Sequence, residues 1–194
     1  MKNAVVLWTG GKDSYLAFQL AHEQNFNIVA LVTFVPVGNP DFQAHPQPEM
    51  MQQAKRLGFK IHFLEVCEPY KESYIEKLKW VKSHLSASTA ITGDIDFVGG
   101  CSNWIVDCCE SAELEVLRPL WQKDREWVMH QLLARNIQAR INFISHPALP
   151  AEWKGRLIDQ NFLQELRILC KEHGLDLAGE NGEYHTMVVT GPLE

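Results

Sequence analysis

The sequence predicts an α/β protein: a parallel sheet flanked by helices, followed by a small C-terminal α/β lobe. Three observations carry that prediction. Short apolar runs of strand length alternate with longer stretches of helical periodicity from residue 4 to residue 111. The strand candidates are nearly continuous in apolar residues, as in sheets covered on both faces. The pattern then changes after Arg118-Pro119-Leu120-Trp121. Residues 1–120 are therefore read as one unit and residues 121–194 as a second, smaller one.

Residues 4–8 are apolar and β-prone, and they stop at Gly10-Gly11. In residues 13–24, Leu16 and Leu20, and Ala17 and Ala21, recur at helical spacing. A second strand is expected at 28–35. Residues 36–48 hold four prolines and a glycine and read as an irregular loop. A helix over 49–57 ends at Gly58. A strand at 60–66, a helix at 70–85 and a strand at 89–92 follow, the last ending at Gly93-Asp94. A helix covers 104–111. In the second unit a helix is expected at 124–135, a strand at 139–144, a loop at 146–150 and a helix at 161–172. A polar, glycine-bearing tail at 179–186 then runs into a short apolar strand at 187–190. Right-handed crossovers bring the carboxyl ends of the first and fourth strands together at a switch point, where ligands bind in such sheets. The segment Gly10 to Ser14 and the pair Gly93-Asp94 thus face one crevice.

Composition narrows the class. The chain has 194 residues, 46% hydrophobic and 22% charged, which suits a globular core and excludes disordered, collagen and coiled-coil readings. The formal charge of −6, with Lys and Arg scattered, argues against a nucleic-acid partner. Five cysteines with no CxxC pair fit a reducing cytosol. No signal-peptide pattern is evident, and no apolar run approaches the ~20 residues of a membrane span. A cytoplasmic protein without a membrane partner is expected.

Thr9-Gly10-Gly11-Lys12-Asp13-Ser14 is the strongest motif. Two glycines let the backbone turn sharply and approach a ligand. The following helix presents unpaired N–H groups and the positive end of its dipole, both of which favour a phosphate. Lys12 adds a charge, and Thr9 and Ser14 add hydroxyls. The Walker A spacing is absent, so a P-loop mechanism is not implied. Asp13 has two readings, a Mg²⁺ ligand or a helix cap. Asp94 is either a crevice carboxylate or a turn cap.

The loop resembles the SGGKDS pyrophosphate loop of the N-type ATP pyrophosphatases, with Thr9 in place of the first serine. That resemblance implies a Rossmann-like (HUP-type) sheet, ATP cleavage between the α and β phosphates, and adenine near Thr33 and Phe34. Gly93-Asp94-Ile95, Pro119-Leu120-Trp121 and the tail Gly179-Glu180-Asn181-Gly182-Glu183-Tyr184-His185-Thr186 add to it. Together they resemble the diphthine–ammonia ligase family across residues 9–186. The family's archaeal and eukaryotic members form the terminal amide of diphthamide on elongation factor 2 from ATP and ammonium. They carry a Ser-x-Tyr-Gln segment where this chain has Asp96-Phe97-Val98-Gly99-Gly100-Cys101. They also have a GEGGEYET-like tail where this chain has Asn181 and His185. The chain is closer to the bacterial branch.

In the tail, Glu180 and Glu183 stand three residues apart in a glycine-flanked stretch. Carboxylates there can hold Mg²⁺ beside phosphates, or bind ammonium and accept its proton; a solvated turn is the plain alternative. His185 either donates to a leaving phosphate or is a satisfied turn histidine. Trp104, Trp121 and Tyr184 are read as core packing ahead of a cage for a quaternary ammonium. Cys101, Cys108 and Cys109 match no zinc spacing. The histidines at 22, 45, 62, 84, 130, 146 and 173 form no ligand motif and are read as structural.

The expected function is an AMP-forming amide ligase. Thr9, Gly10, Gly11, Lys12, Asp13, Ser14, Thr33, Phe34 and Gly93 would bind ATP, and Asp13 would hold Mg²⁺. Lys12, Asp94, Glu180, Glu183 and His185 would be the catalytic set. The partners are ATP, free ammonium and a carboxylate acceptor, which is a modified histidine on elongation factor 2 or an unidentified small molecule or protein. A homodimer is left open. The alternatives are a tRNA-modifying enzyme on the same fold and a non-catalytic adenine-nucleotide regulator.

Overall fold

The computed structural model describes residues 2–38, 44–97 and 104–193. Its first part alternates strand and helix: β1 (Asn3–Leu7), α1 (Lys12–Glu23), β2 (Asn27–Pro36), α2 (Gln47–Leu57), β3 (Ile61–Val66), α3 (Tyr70–His84), β4 (Thr89–Ile91), α4 (Trp104–Ser111) and β5 (Glu115–Leu117). The second part holds α5 (Arg125–Ala134), β6 (Gln138–Ile144), a 3₁₀ turn (Ala151–Trp153), α6 (Gln160–His173) and β7 (Tyr184–Thr190). Five strands pair in parallel in the order β3-β2-β1-β4-β5, while β6 and β7 form a separate antiparallel pair. This is the expected Rossmann-like sheet with a small α/β annex. The strand order reverses between β1 and β4, so the switch point falls where the glycine loop and Gly93-Asp94 leave the sheet.

Strand alternation explains the layers. Ala4, Val6 and Trp8 point into a core shared with α1, α2, α5, α6, β6 and β7. Val5 points into a second core with Ala30 and Val32 of β2, Leu78 and Val81 of α3, and Cys108 and Cys109 of α4. Successive residues face opposite sides, and both sides are covered. Cys108 and Cys109 are thus packing residues; Cys101 lies outside the described residues, as does the stretch 98–100.

Two departures from the sequence reading have simple causes. β5 has no predicted counterpart, because three residues are too short to carry a period. β7 starts at Tyr184 and not at 187. Tyr184 and Thr186 are good strand formers, and Tyr184, His185, Thr186 and Met187 pair with β6 at Ile144, Phe143, Ile141 and Arg140. Of the proline-rich loop at 36–48, residues 39–43 lie outside the described residues. Among the described residues, no helix is long and apolar enough to cross a membrane.

Candidate functional site

The glycine corner is built by contacts from both parts of the chain. Gly10 has φ +72° and packs so tightly that a Cβ there would lie 2.6 Å from Gln53 Oε1 and 2.7 Å from Met187 Sδ. Its carbonyl accepts from the Val188 N–H (2.9 Å) and from Gln53 Nε2 (2.9 Å). Gly10 therefore faces α2 and β7 and shapes the turn; it does not line the cleft beside it. Gln53 is 1% exposed and also accepts from Trp8 Nε1 (3.0 Å), so it ties α2, the corner and β7 together. Gly11 caps α1 in an extended conformation. Within the loop, Thr9 Oγ1 donates to Ser14 Oγ (3.2 Å) and Ser14 Oγ donates to the Gly11 carbonyl (3.0 Å). The first intrahelical bond runs from the Tyr15 N–H to Gly11 O, so the amides of Lys12, Asp13 and Ser14 precede it. Thr186 Oγ1 takes the Lys12 N–H (3.0 Å).

Gly93 completes the corner from β4. A Cβ at this position would lie 2.6 Å from the Asp13 carbonyl carbon and 2.7 Å from the Ser14 amide nitrogen. Only a bare α-carbon lets β4 approach the first turn of α1 so closely. Asp94 follows it and accepts from Thr92 Oγ1 (2.7 Å).

These pieces open onto one cleft of about 710 Å³. Its walls include Thr9, Gly11, Lys12, Asp13 and Ser14 from the loop and helix start, Thr33 and Phe34 from β2, and Gly93 and Asp94 beyond β4. Glu180 and His185 close it from the tail. The volume is that of a small-molecule site. The candidate residues thus converge, except Gly10 and Glu183. Glu183 is 7% exposed, and its carboxylate accepts from the Asp176 N–H (2.8 Å) and the Asn181 N–H (3.1 Å). It organises its own turn, while Glu180, three residues earlier, faces the cleft.

Lys12 is not an open arm. It is 2% exposed, and its ammonium donates to Asp13 Oδ2 (2.7 Å) and to the Ala178 carbonyl. Burial still pushes the Asp13 carboxyl up from its ordinary value, against the pull of Lys12. Asp13 Oδ1 is buried without a hydrogen-bond partner. Glu180 is pushed up to about 7, by burial first and then by the nearby Asp13 charge. Glu180 Oε1 accepts long bonds from the Ile95 and Asp96 amides (3.2 and 3.4 Å). Among the described residues, no group of three or more His, Cys, Asp or Glu side chains is arranged to hold a metal ion.

Sequence reasoning placed His45 among structural histidines, but it lines the cleft. It stands edge-to-face on His185, with centroids 5.2 Å apart. No motif could reveal this, because the pairing depends on β7 returning 140 residues later. Tyr74 was also missed; it joins Phe34 (centroids 4.3 Å) and Trp104 (4.6 Å) in an aromatic wall of the cleft. The cage of Trp104, Trp121 and Tyr184 is not assembled. Trp121 packs under the Arg118 guanidinium (3.8 Å) and against Phe97, and Tyr184 is buried with its hydroxyl donating to Leu177 O (2.7 Å). Pro119-Leu120-Trp121 therefore props the 95–97 segment, and the Gln122 N–H donates to Ile95 O.

A Rossmann-like α/β sheet with a glycine corner at its switch point is the class that fold and cleft define. The Diphthamide synthase N-terminal domain family matches residues 1–116, and the Diphthamide synthase C-terminal domain family matches residues 124–194. The chain belongs to the diphthamide synthase family. It is similar to the human protein named diphthine–ammonia ligase, 33% identical over 92 residues, which is 46% of this chain and 33% of that protein. The mouse protein of the same name is 31% identical over 127 residues, 63% of this chain and 45% of that protein. The zebrafish one is 21% identical over 97% of this chain and 82% of its own length. The match spans about a third of the human and bovine relatives.

Proposed function

We propose that the chain is an ATP-dependent, AMP-forming amide ligase that activates a carboxylate and amidates it with free ammonium. The observation that carries this reading is the single cleft that gathers Thr9, Gly11 to Ser14, Gly93-Asp94, Glu180 and His185. The family relation and the relatives' printed name support the carbon–nitrogen ligase part of it.

In this scheme ATP is a substrate whose β and γ phosphates lie on the first turn of α1. There the amides and Lys12 stabilise the charge that grows on the leaving pyrophosphate. Thr33 and Phe34 hold the base side, and Gly93 lets the end of β4 close against the first turn of α1 beside the α-phosphate. The acceptor carboxylate attacks that phosphorus, and ammonia then displaces AMP. Glu180, half-buried with its pKa near 7, is suited to accept a proton from ammonium. Asp94 orients the acceptor, and Glu183 keeps the Glu180 turn in shape. Mg²⁺ fits beside Asp13, whose Oδ1 has no other partner, and would neutralise phosphate charge there. We assign ATP to residues 1–120 and the acceptor to the lobe of residues 121–194. The acceptor is a modified histidine on elongation factor 2 or another carboxylate.

The test is product analysis with candidate carboxylates, with and without ammonium. AMP and pyrophosphate are expected, with the amide forming only when ammonium is present. ADP and orthophosphate would overturn the scheme. ATP binding without turnover on any acceptor would favour a regulator.

A further inference from the structure

Glu180 stands on a turn between Gly179 and Gly182, both with positive φ (+72° and +83°), so no helix or strand fixes its direction. Its carboxylate is held from the opposite wall of the cleft, where the Ile95 and Asp96 amides donate to Oε1 at 3.2 and 3.4 Å. Bonds of that length are at or beyond the usual range. They survive only while the segment after β4 and the tail turn keep their separation. Arg125 spans that gap. Its Nη2 donates to Asp96 Oδ2 (3.3 Å) and its Nε to Asp176 Oδ2 (2.8 Å). Asp176 Oδ1 accepts from the N–H of Ala178, two residues before Glu180 (2.7 Å). The guanidinium, Asp176, the tail turn, Glu180 and the Asp96 segment thus close a ring of bonds. The Arg125 and Asp176 side chains are only 24% and 11% exposed, so water screens their pair less than it screens a surface ion pair. Arg125 also opens α5, where a cation opposes the helix dipole and Asp124 already caps the helix. The helix therefore gains nothing from this charge, whereas the two carboxylates do. A guanidinium donates in fixed directions from one plane, which suits a bridge between two acceptors better than the point charge of a lysine.

We propose that Arg125 is a positioning residue for Glu180. By bridging Asp96 and Asp176 it fixes where the Glu180 carboxylate stands in the cleft, and so how that carboxylate meets ammonium. Loss of the bridge lets the tail turn and the Asp96 segment drift apart and turns Glu180 out of place. The proposal rests on the reading of Glu180 as the ammonium-facing group, and adds to it a residue of α5.

The experiment compares the full chain of wild type with Arg125→Lys and Asp176→Asn, each shown to be folded by far-UV circular dichroism. Amide hydrogen exchange followed by NMR reads the Glu180 contacts without any substrate. In both variants the Asp96 amide is expected to exchange roughly tenfold faster, the scale of one hydrogen bond to a charged group, while the amides of β1 and β2 keep their rates. The Ile95 amide changes less, because the Gln122 N–H still holds the Ile95 carbonyl (2.6 Å). In a Glu180→Ala background that amide has already lost its acceptor, so Arg125→Lys adds no further change. With a carboxylate that product analysis shows to be amidated, Arg125→Lys is expected to raise the KM for ammonium chloride roughly tenfold and to leave the KM for ATP near that of wild type. Should one variant misfold, the other reads the same bridge from its opposite end. Unchanged Asp96 exchange in the folded variants overturns the proposal and leaves the ligase reading standing. An equal rise in both KM values also overturns it, since Arg125 would then be a general tie between the two parts of the chain. If no carboxylate is amidated, the ligase reading fails, and the exchange rates alone decide whether Arg125 holds Glu180.

Discussion

Lys12 carries two tasks at once. Its ammonium is closed off between Asp13 and the Ala178 carbonyl, so it fastens the tail to the first helix as well as standing at the proposed phosphate site. Lys12→Ala is therefore expected to weaken ATP binding more than Thr9→Ala. It also leaves the Asp13 carboxylate without its cation, at a cost to folding of roughly 1–3 kcal/mol. A nucleotide titration and a denaturant melt of the two variants check both effects. Glu180 yields a pH prediction. Its ordinary value is 4.5, and burial lifts it to about 7. Between those values the folded chain retains a proton that the unfolded chain has released, so this group lowers stability as pH rises through the window. Glu180→Gln keeps an oxygen for the Ile95 and Asp96 amides and removes the charge. Its melting temperature is expected to exceed that of wild type above the window, with the gap closing below it. A gap independent of pH would show that Glu180 ionises elsewhere. At this scale the place of Lys12, Asp94 and Glu180 at the cleft was legible because each sits in a short motif of its own. His45 and Gln53 were not, because their partners Thr9, Gly10 and Val188 come from distant stretches.

The junction of strand and helix decides the site. Gly93 stands where any side chain would strike the backbone of Asp13 and Ser14. Gly93→Ala must push β4 and α1 apart, and overpacking of this kind costs about 1–3 kcal/mol. The expected result is a lower denaturation midpoint together with a loss of ATP affinity. Unchanged affinity would place the phosphates away from the first turn of α1. The helices and β1 to β4 of the first part were readable, because β1, β2 and β4 are mostly buried apolar runs and the helices carry their own period; β5, three residues long and partly exposed, was not. The tail was harder. Its sequence is polar, yet residues from Tyr184 onward form a strand, since pairing with β6 supplies what local apolar content does not. The same folding divides Glu180 from Glu183, which spacing alone treats as a pair.

Across the whole molecule, parallel sheet and switch point followed from the alternation of elements, and so did the meeting of the glycine loop with Gly93-Asp94. The link between the two parts of the chain did not. Arg125 on α5 donates to Asp176 (2.8 Å) and Asp96 (3.3 Å), joining the tail turn to the segment after β4. Asp176 in turn accepts from the Ala178 N–H (2.7 Å) and donates its own N–H to Glu183. Such a network has no sequence period, so only the folded chain reveals it. Arg125→Ala is expected to cost about 1–2 kcal/mol in stability and to raise the KM for acceptor more than that for ATP. Steady-state kinetics with each substrate varied in turn separates the two effects.

The bond from Val188 to the Gly10 carbonyl has a consequence for the growing polypeptide. The corner that opens α1 is synthesised well before residues 178–188, yet its carbonyl, its Lys12 amide and its lysine find their partners only once those residues have emerged. Nascent chains stalled before that point would carry every glycine of the motif and still fail to retain nucleotide. The proposed nucleotide site is thus completed only once β7 has been made and paired.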